Sequence, residues 1–309
     1  MGRQAPRDLA ASVQARLHNV AKSRHVELQT VLSEFAIERL LYRLGVSSYR
    51  TQFVLKGATL FRLWSPRQGR ATWDLDLLGR GDSGVEDVVA VMQQLCAIPA
   101  EDAIQFDERS IRGEVIRGAD EDAGVRVRFV ARLAKVRIPV QVDVGFGDVI
   151  TPREDLVTYP TLLDQPAPRV LAYPRETVIA EKLEAIVSLG VKTSRMKDFY
   201  DVRVLAWTFR FGGPELASAI RATFAKRGTP IPAQELMVLT PEFVGSTDRQ
   251  TQWRAFLKRG RLEGPDDAVS LSEDLRLFVG PVFAGLHGGG EFNASWAPGG
   301  PWTPPQLGE

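Results

Sequence analysis

The sequence predicts an α+β protein, with a strand-rich middle between a helical beginning and a helical second half. Residues 125–132 and 136–144 alternate apolar and polar side chains, the period-two pattern of half-buried strands. Residues 8–45 and 175–210 instead repeat apolar side chains at the three-to-four-residue spacing of helices. The chain has 309 residues, which is enough for one large or two smaller domains.

The composition is that of an ordinary folded chain. Hydrophobic residues make up 44% and charged residues 25% of the sequence, so wholesale disorder is excluded. Lysine and arginine total 39 against 38 aspartate and glutamate residues, a formal net charge of +1. A nucleic-acid partner would therefore be held by a local basic surface and not by the field of the whole protein.

Cysteine, histidine and hydropathy exclude three further classes. Cys96 is the one cysteine, so no intramolecular disulfide can form, and the three scattered histidines are too few for a zinc cluster. No apolar run approaches the roughly 18 residues of a membrane span. The N-terminus is basic but lacks the apolar segment of a secretion signal, so we expect a cytoplasmic protein without a membrane partner.

Along the first half, each change of pattern predicts a change of element. Two helices are expected over 8–45, where Gly45 supplies a stop. A short strand, Phe53–Leu55, is followed by a glycine turn and by a helix start near Leu60. Further predicted elements are a strand at 72–78, a helix at 87–95, and a hairpin of the two alternating strands joined near Ala134-Lys135.

The second half is predicted to be mainly helical. Residues 152–173 are rich in loop-forming residues, after which 175–190, 195–210 and most of the chain beyond Gly212 follow a helical period. The last residues, 285–309, concentrate glycine and proline, which predicts a flexible tail.

A turn and an acidic pair form the first candidate site. Backbone N–H groups of a Gly57-Ala58-Thr59 turn would point outward where the next helix starts, a natural place for a phosphate. On a strand, Asp74 and Asp76 project from one face while the intervening leucine points into the core. Two such carboxylates suit Mg²⁺, which completes its shell with phosphates and water. The alternative is a polar strand edge at a turn.

Asp143 is the candidate for a third metal carboxylate. Alternation places it on the face opposite the valine and isoleucine side chains of its strand, which is either a cleft or solvent. The alternative is a solvent-facing acid neutralised by Arg137, a pair of little energetic value. Asp148 lies close enough in sequence to take the same role.

A lysine and an acidic helix form the last candidate site. Lys182 lies on or beside the apolar stripe of its helix, so its ammonium must reach solvent or find an anion. A triphosphate and a structural salt bridge to a buried aspartate are equally compatible with that position. Asp198 and Asp201, spaced i and i+3, share a helix face, and Arg195 adds positive charge nearby.

Four segments, in this order, resemble the nucleotidyltransferase-like toxins of the AbiEii/AbiGii family of type IV toxin–antitoxin and abortive-infection systems. They read LKGATLFRLW…RATWDLDLLGRGD, PVQVDVGFGD, TVIAEKLEAIV and SRMKDFYDVRVLA. The resemblance runs from about Leu32 to about Arg259 and rests on four ordered motifs, which makes it far more specific than any one of them.

The resemblance implies the minimal nucleotidyltransferase fold, a small mixed sheet flanked by helices, with a helical C-terminal half. We therefore expect a nucleotidyltransferase-like domain over 1–160, a helical domain over 161–284 that completes the active site, and the tail over 285–309. It also assigns roles to residues of the motifs. Nucleotide binding falls to Lys56, Gly57, Ala58, Thr59, Lys182 and Arg195, metal binding to Asp74 and Asp76 with Asp143 added from strand geometry, and catalysis to Asp74, Asp76, Lys182 and Asp198.

One position departs from the family pattern. Many relatives carry a second glycine where this chain has Ala58. Its methyl group narrows the approach of the backbone to a phosphate. Alanine is the mildest such change, so we expect the site to survive it.

The resemblance further implies a toxin that uses Mg²⁺ and a nucleoside triphosphate to modify the 3′ acceptor end of tRNA, with a cognate antitoxin as a possible partner. Alternatives are transfer to a protein or small-molecule acceptor, and a non-catalytic nucleotide-sensing module. An RNA backbone could lie on a basic face, although acids nearby offset part of its charge. The basic residues are Arg109, Arg112, Arg117, Arg126, Arg128, Arg132, Lys135 and Arg137.

Overall fold

The structure is a computed structural model that describes residues 5–64, 72–116, 124–288 and 291–304, with side chains from residue 9 onward. The chain divides into two compact units. The first comprises Met1–Gly147 and Asp155–Ala172, and the second comprises Asp148–Glu154 and Tyr173–Glu309.

The first unit is built on a mixed seven-stranded sheet. The strand order is β3-β4-β5-β2-β1-β7-β6, in which β2 and β5 are parallel, β1 and β7 are parallel, and the other neighbours are antiparallel. The strands are β1 Phe53–Lys56, β2 Asp74–Gly79, β3 Ile104–Ile116, β4 Gly124–Leu133, β5 Val136–Phe146, β6 Asp155–Thr158 and β7 Arg169–Ala172. This mixed sheet agrees with the predicted fold class.

Helices cover one face of this sheet. They are α1 Ala5–Arg24, α2 Leu28–Val46, α3 Leu60–Trp64 and α4 Val85–Ala97, of which α2 packs on β5 and β7 and α4 on β3 and β4. Every second side chain of β2, β4 and β5 is buried, including Leu75, Val127 and Val142. Most of the intervening side chains are polar, and we call their side of the sheet the polar face; it carries Asp74, Asp76, Arg126, Arg128 and Asp143.

Three strands of the first unit, β3, β6 and β7, were not predicted from the sequence. The register between β3 and β4 shifts between Asp107 and Arg112, which interrupts the alternation that marks a strand. β6 and β7 have four residues each and lie within a stretch predicted as loops. Because both belong to the sheet of the first unit, the predicted boundary at residue 160 falls inside that unit.

Buried charges of α2 fasten the chain that follows β6. Glu38 and Arg39 are fully buried; Glu38 accepts a hydrogen bond from the Leu162 N–H at 2.6 Å, and Arg39 donates to the Pro166 carbonyl at 2.9 Å. Burial raises the pKa of Glu38 to about 7, although Arg39 opposes the shift. One turn further along α2, Arg43 forms a buried salt bridge with Asp102 at 2.6 Å.

The second unit is helical, as predicted. Its helices are α5 Arg175–Leu189, α6 Met196–Thr208, α7 Gly213–Lys226, α8 Pro241–Val244, α9 Thr247–Gly260 and α10 Ala268–His287. A small sheet of β8 Phe211–Gly212, β9 Ser295–Trp296 and β10 Trp302–Thr303 completes the unit. No described helix of either unit is long and apolar enough to cross a bilayer.

The prediction of a flexible tail over 285–309 is wrong for residues 291–304. Trp296 is buried, and its indole N–H donates to the Ala206 carbonyl of α6 at 2.6 Å. The Trp302 ring stacks on Phe278 of α10 with ring centroids 5.7 Å apart. We call residues 291–304 the strap. Its two tryptophans pack against the helices of this unit, which its glycine-rich and proline-rich composition does not reveal. Residues 289–290 and 305–309 lie outside the described part of the chain.

The packing of the strap predicts that its tryptophans contribute to the stability of the fold. Replacing Trp296 with alanine should lower the free energy of unfolding by about 3–5 kcal/mol, because it empties a buried site among aromatic rings. Urea denaturation measures the change. The exposed Asn293→Ala variant is the control and should stay within about 0.5 kcal/mol of wild type. A mobile tail would instead leave both variants unchanged.

Candidate active site

The turn after β1 is built around a glycine. Gly57–Thr59 form one turn of 3₁₀ helix between Lys56, the last residue of β1, and the start of α3. Gly57 has a φ of +73°, and a Cβ placed on it would lie 2.0 Å from Asp76 Oδ2. Only glycine satisfies both conditions. The carboxylate of Asp76 therefore lies directly against the turn predicted to hold a phosphate.

Thr59 ties the turn to the neighbouring strand. Its hydroxyl donates to the backbone carbonyl of Asp74 at 3.3 Å, and the Thr72 hydroxyl lies at the same distance from that oxygen. Ala58 and Thr59 are both buried, with 6% and 2% of their surface exposed. The methyl group of Ala58 thus packs within the protein, and the expectation that the site tolerates it stays a prediction.

The strand register brings the predicted carboxylates together. Asp74 and Asp76 alternate with buried leucines on β2, so both lie on the polar face, as the alternation predicts. Asp143 of β5 is the direct register partner of Asp76. Asp148 belongs to the second unit, where it accepts a hydrogen bond from Arg227 at 3.1 Å. The register therefore favours Asp143 as the neighbour of the acidic pair.

Arg126 holds Asp143 in a two-point ion pair. Its Nε and Nη2 atoms donate to Oδ1 and Oδ2 of Asp143 at 2.8 and 2.7 Å. The hydrogen bond to Asp143 is the main reason that the pKa of Arg126 is raised. Arg137, the partner considered from the sequence, lies opposite Arg132 instead. Asp143 is neutralised, but by a residue that sequence reasoning had placed only in the basic face.

This pairing alters the predicted metal site. Within the described ranges, no group of three acidic, histidine or cysteine side chains is arranged to hold a metal ion. Asp143 directs both oxygens at Arg126, and its role as a third metal carboxylate beside Asp74 and Asp76 stays a prediction. Asp74 and Asp76 still fit Mg²⁺, which commonly takes one or two carboxylates and keeps water or phosphate as its other ligands.

A row of charges crosses five strands at this point. Register pairs follow one another from Lys56 through Asp76, Asp143 and Arg126 to Glu114. In the next row, Asp74 and Gln141 are followed by two arginines, Arg128 and Arg112. Arg117 of the predicted basic face lies outside the described residues. The polar face thus changes from acidic at β2 to basic at β4, whereas β3 carries charges of both signs.

In the second unit, Lys182 of α5 is part of a buried ion-pair cluster. Its Nζ atom lies 3.0 Å from Asp198 Oδ1 and 2.7 Å from Asp201 Oδ2, and both aspartates are almost fully buried. Arg195 donates to the other oxygen of Asp198. Burial opposes ionisation of Asp198, but Lys182 and Arg195 outweigh it and lower the pKa. Of the two interpretations of Lys182, the salt bridge to buried aspartate is present.

The second unit contains another ion-pair cluster, centred on Arg227, which the sequence analysis did not identify. Arg227 lies 2.7 Å from Glu184 and 3.6 Å from Glu181, both of α5, in addition to Asp148. Burial would lower the pKa of Arg227, but these surrounding carboxylates raise it. The partners lie more than forty residues away in sequence, and no local pattern links them. For Arg126 a signal existed, because it and Asp143 each lie seven residues from the two-residue turn of their hairpin.

Comparison with known proteins adds family and fold information. The model of the family described as "Nucleotidyl transferase AbiEii toxin, Type IV TA system" matches residues 39–278. Two solved Helicobacter pylori structures, JHP933 and a nucleotidyltransferase candidate, each share 15% sequence identity over 85% of this chain, with a TM-score of 0.49. The matches cover 94% and 97% of those chains. Among curated proteins, none matches.

The turn geometry predicts the outcome of adding one methyl group. Gly57→Ala should destabilise the first unit by more than the roughly 1–3 kcal/mol that a strained backbone costs, because the new Cβ also displaces Asp76. Gly81→Ala is the matched control: Gly81 also has positive φ, but a Cβ there meets open space. Denaturation midpoints of both variants measure the difference, and equal losses would contradict the proposed clash.

The ion-pair cluster predicts that Lys182 supports the fold. Lys182→Ala should cost about 3–5 kcal/mol of stability near neutral pH, since it removes a cation facing two buried carboxylates. Because the folded-state pKa of Asp198 is lowered, the gap from wild type should shrink as the pH falls into the acidic range. Thermal unfolding against pH measures both effects. The exposed Lys192→Ala serves as control, and wild-type stability of Lys182→Ala would leave triphosphate binding as its role.

Proposed function

The chain belongs to the AbiEii nucleotidyl transferase toxin family of type IV toxin–antitoxin systems, and on that premise we propose that it transfers a nucleoside monophosphate from a triphosphate to the 3′ acceptor end of tRNA, which blocks translation. The observation that carries the proposal is the contact of the Gly57 turn with Asp76. It joins a phosphate-holding turn and an acidic pair within one rigid piece of sheet.

We propose Mg²⁺ as the metal ion, with Asp74 and Asp76 as its protein ligands. Both carboxylates project from one face of β2, and Asp143 adds a third negative charge beside Asp76. Like charges at neighbouring positions of a sheet repel each other. Arg126 pairs with Asp143, and a divalent cation held by Asp74 and Asp76 would stabilise the charge that develops on the phosphate.

The chain's own groups orient the reactants. In nucleotidyl transfer the attacking hydroxyl oxygen bonds to the α-phosphorus, the bond to the bridging oxygen breaks, and pyrophosphate leaves. Backbone N–H groups of Gly57–Thr59 would orient the triphosphate, with Lys56 beside them at the end of β1. Asp143 is the proposed acceptor of the proton of the attacking hydroxyl, since each of its oxygens accepts one hydrogen bond from Arg126 and keeps a second lone pair.

Basic residues of the polar face support a polyanionic acceptor. Arg112 and Arg128 follow Asp74 in the same row of the sheet, and Arg128 is exposed. Guanidinium groups bind phosphates of a nucleic-acid backbone without reading its sequence. Glu114 offsets part of this charge through its 2.5 Å ion pair with Arg128. The row therefore favours an RNA over a small-molecule acceptor.

Residues of the second unit keep their proposed roles. Lys182 and Arg195 are proposed to contact the triphosphate, and Asp198 to be required for activity, as the family resemblance implies. Because Asp198 is ion-paired to both Lys182 and Arg195, replacing one of the three side chains is expected to displace the others. As a member of a type IV system the protein is also expected to have a cognate antitoxin partner. We also propose a cytoplasmic location, because nucleoside triphosphates and tRNA, its proposed substrates, are found there.

The activity test uses one carboxylate and a matched control. Purified protein is incubated with Mg²⁺, total tRNA and each labelled nucleoside triphosphate in turn. Asp76→Asn should reduce transfer of label to RNA by at least about 100-fold, because it removes a charge that acts at the reacting phosphate. Asp107→Asn, which changes a carboxylate of β3 paired with Arg132, should retain activity.

Each result of this test has a definite meaning. Label on RNA with wild type and Asp107→Asn, but not with Asp76→Asn, supports the proposal and identifies the donor nucleotide. Label on a protein or small molecule would favour the other acceptor class. Retained triphosphate binding without any transfer would contradict the catalytic proposal and favour a nucleotide-sensing role.

A further inference from the structure

A small polar cavity of the first unit lies beside the Gly57–Thr59 turn. Its volume is about 130 Å³, and it is lined by Arg24, Glu34, Ala58, Thr59, Arg62 and Thr72 among others. The turn therefore borders both the acidic pair and the cavity: Gly57 lies against Asp76, while Ala58 and Thr59 line the cavity. None of the family motifs includes Arg24 or Glu34, which come from α1 and α2.

The charges lining this cavity are not balanced. Arg24 and Arg62 both donate to the same oxygen of Glu34, Oε2, the first at 3.1 Å and the second at shorter range. Two guanidinium groups thus share one carboxylate, which leaves one excess positive charge. Within the described part of the chain, Arg62 Nε is buried and has no hydrogen-bond partner.

An unpaired buried donor beside excess positive charge favours an anion. A buried N–H without a partner is costly, and a water molecule would satisfy it without neutralising the charge. Arginine matches phosphate oxygens with parallel N–H groups, so a phosphate would neutralise the excess charge of Arg24 and Arg62. The cavity holds the volume of about four waters at roughly 30 Å³ each, far below the usual 300–1,000 Å³ of a pocket for a whole small molecule.

We propose that this cavity is an oxyanion pocket that binds one phosphate group through Arg62 and Arg24. Thr59 and Thr72 also line the cavity, but the hydroxyl of each already donates to the Asp74 carbonyl, so the arginines are the proposed donors to the phosphate. The phosphate comes either from the acceptor RNA or from the pyrophosphate that the reaction releases. In both cases the pocket deepens the proposed function, on which it rests for its role, but anion binding itself requires no catalysis.

Binding is tested without metal ion. Isothermal titration calorimetry measures binding to the wild-type protein in EDTA. The separate probes are inorganic phosphate, pyrophosphate and a single-stranded acceptor oligoribonucleotide. The probe that binds identifies the source of the phosphate group. Arg62→Gln should weaken binding of the occupying probe about ten- to hundredfold, because a charge-assisted hydrogen bond is lost. Arg16→Gln is the control, since Arg16 is likewise ion-paired to a carboxylate of this unit, Asp164, but does not line the cavity.

Two more variants separate anion binding from a folding defect. Arg24→Gln should also weaken binding while leaving the Arg62–Glu34 pair in place. Glu34→Gln should strengthen binding, because it removes the carboxylate that competes for both guanidinium groups, and loss of folding cannot raise affinity. Absence of binding by all three probes, or equal affinities of Arg62→Gln and wild type for every probe, would overturn the pocket. Such a failure leaves the Asp76-dependent transfer of label untouched, so the two proposals fail separately.

Discussion

The close approach of Gly57 to Asp76 is the constraint on which the first unit's site depends. A side chain at position 57 would occupy the space of the carboxylate, so the turn and the acidic strand fit only as one piece. Thr59 adds a hydrogen bond to the backbone of Asp74. β1 and β2 are paired in a sheet, and helices pack against the face opposite the polar face. The position of the Gly57 turn relative to Asp76 is therefore set before any ligand binds.

Charge compensation is the second principle of both units. In the first unit, Arg126 neutralises Asp143, which is the register partner of Asp76. In the second, Lys182 lies between two buried aspartates and Arg195 contacts one of them. Buried charges left alone would shift their pKa or destabilise the fold. These clusters therefore make structural stability and the proposed chemistry depend on the same side chains.

Period-two and helical patterns predicted most elements of the fold, but weak or interrupted patterns did not. The hairpin of β4 and β5 follows from unbroken alternation on either side of a two-residue turn. β3 was missed because a register shift breaks its alternation, and the strap after α10 was misjudged because two tryptophans outweigh its glycine and proline. Local composition describes what a segment prefers alone, whereas packing against another element decides what it adopts.

The sequence by itself determined the family, the mixed fold and the placement of Asp74 and Asp76 on one strand face, because these depend on spacing within short segments. Only the tertiary structure decided which charges meet. Arg126 faces Asp143 across a hairpin, and Lys182 meets Asp198 from a neighbouring helix. A side chain's partner depends on register and helix packing, which bring together residues distant in the sequence, and a pattern read along one segment carries no information about the other.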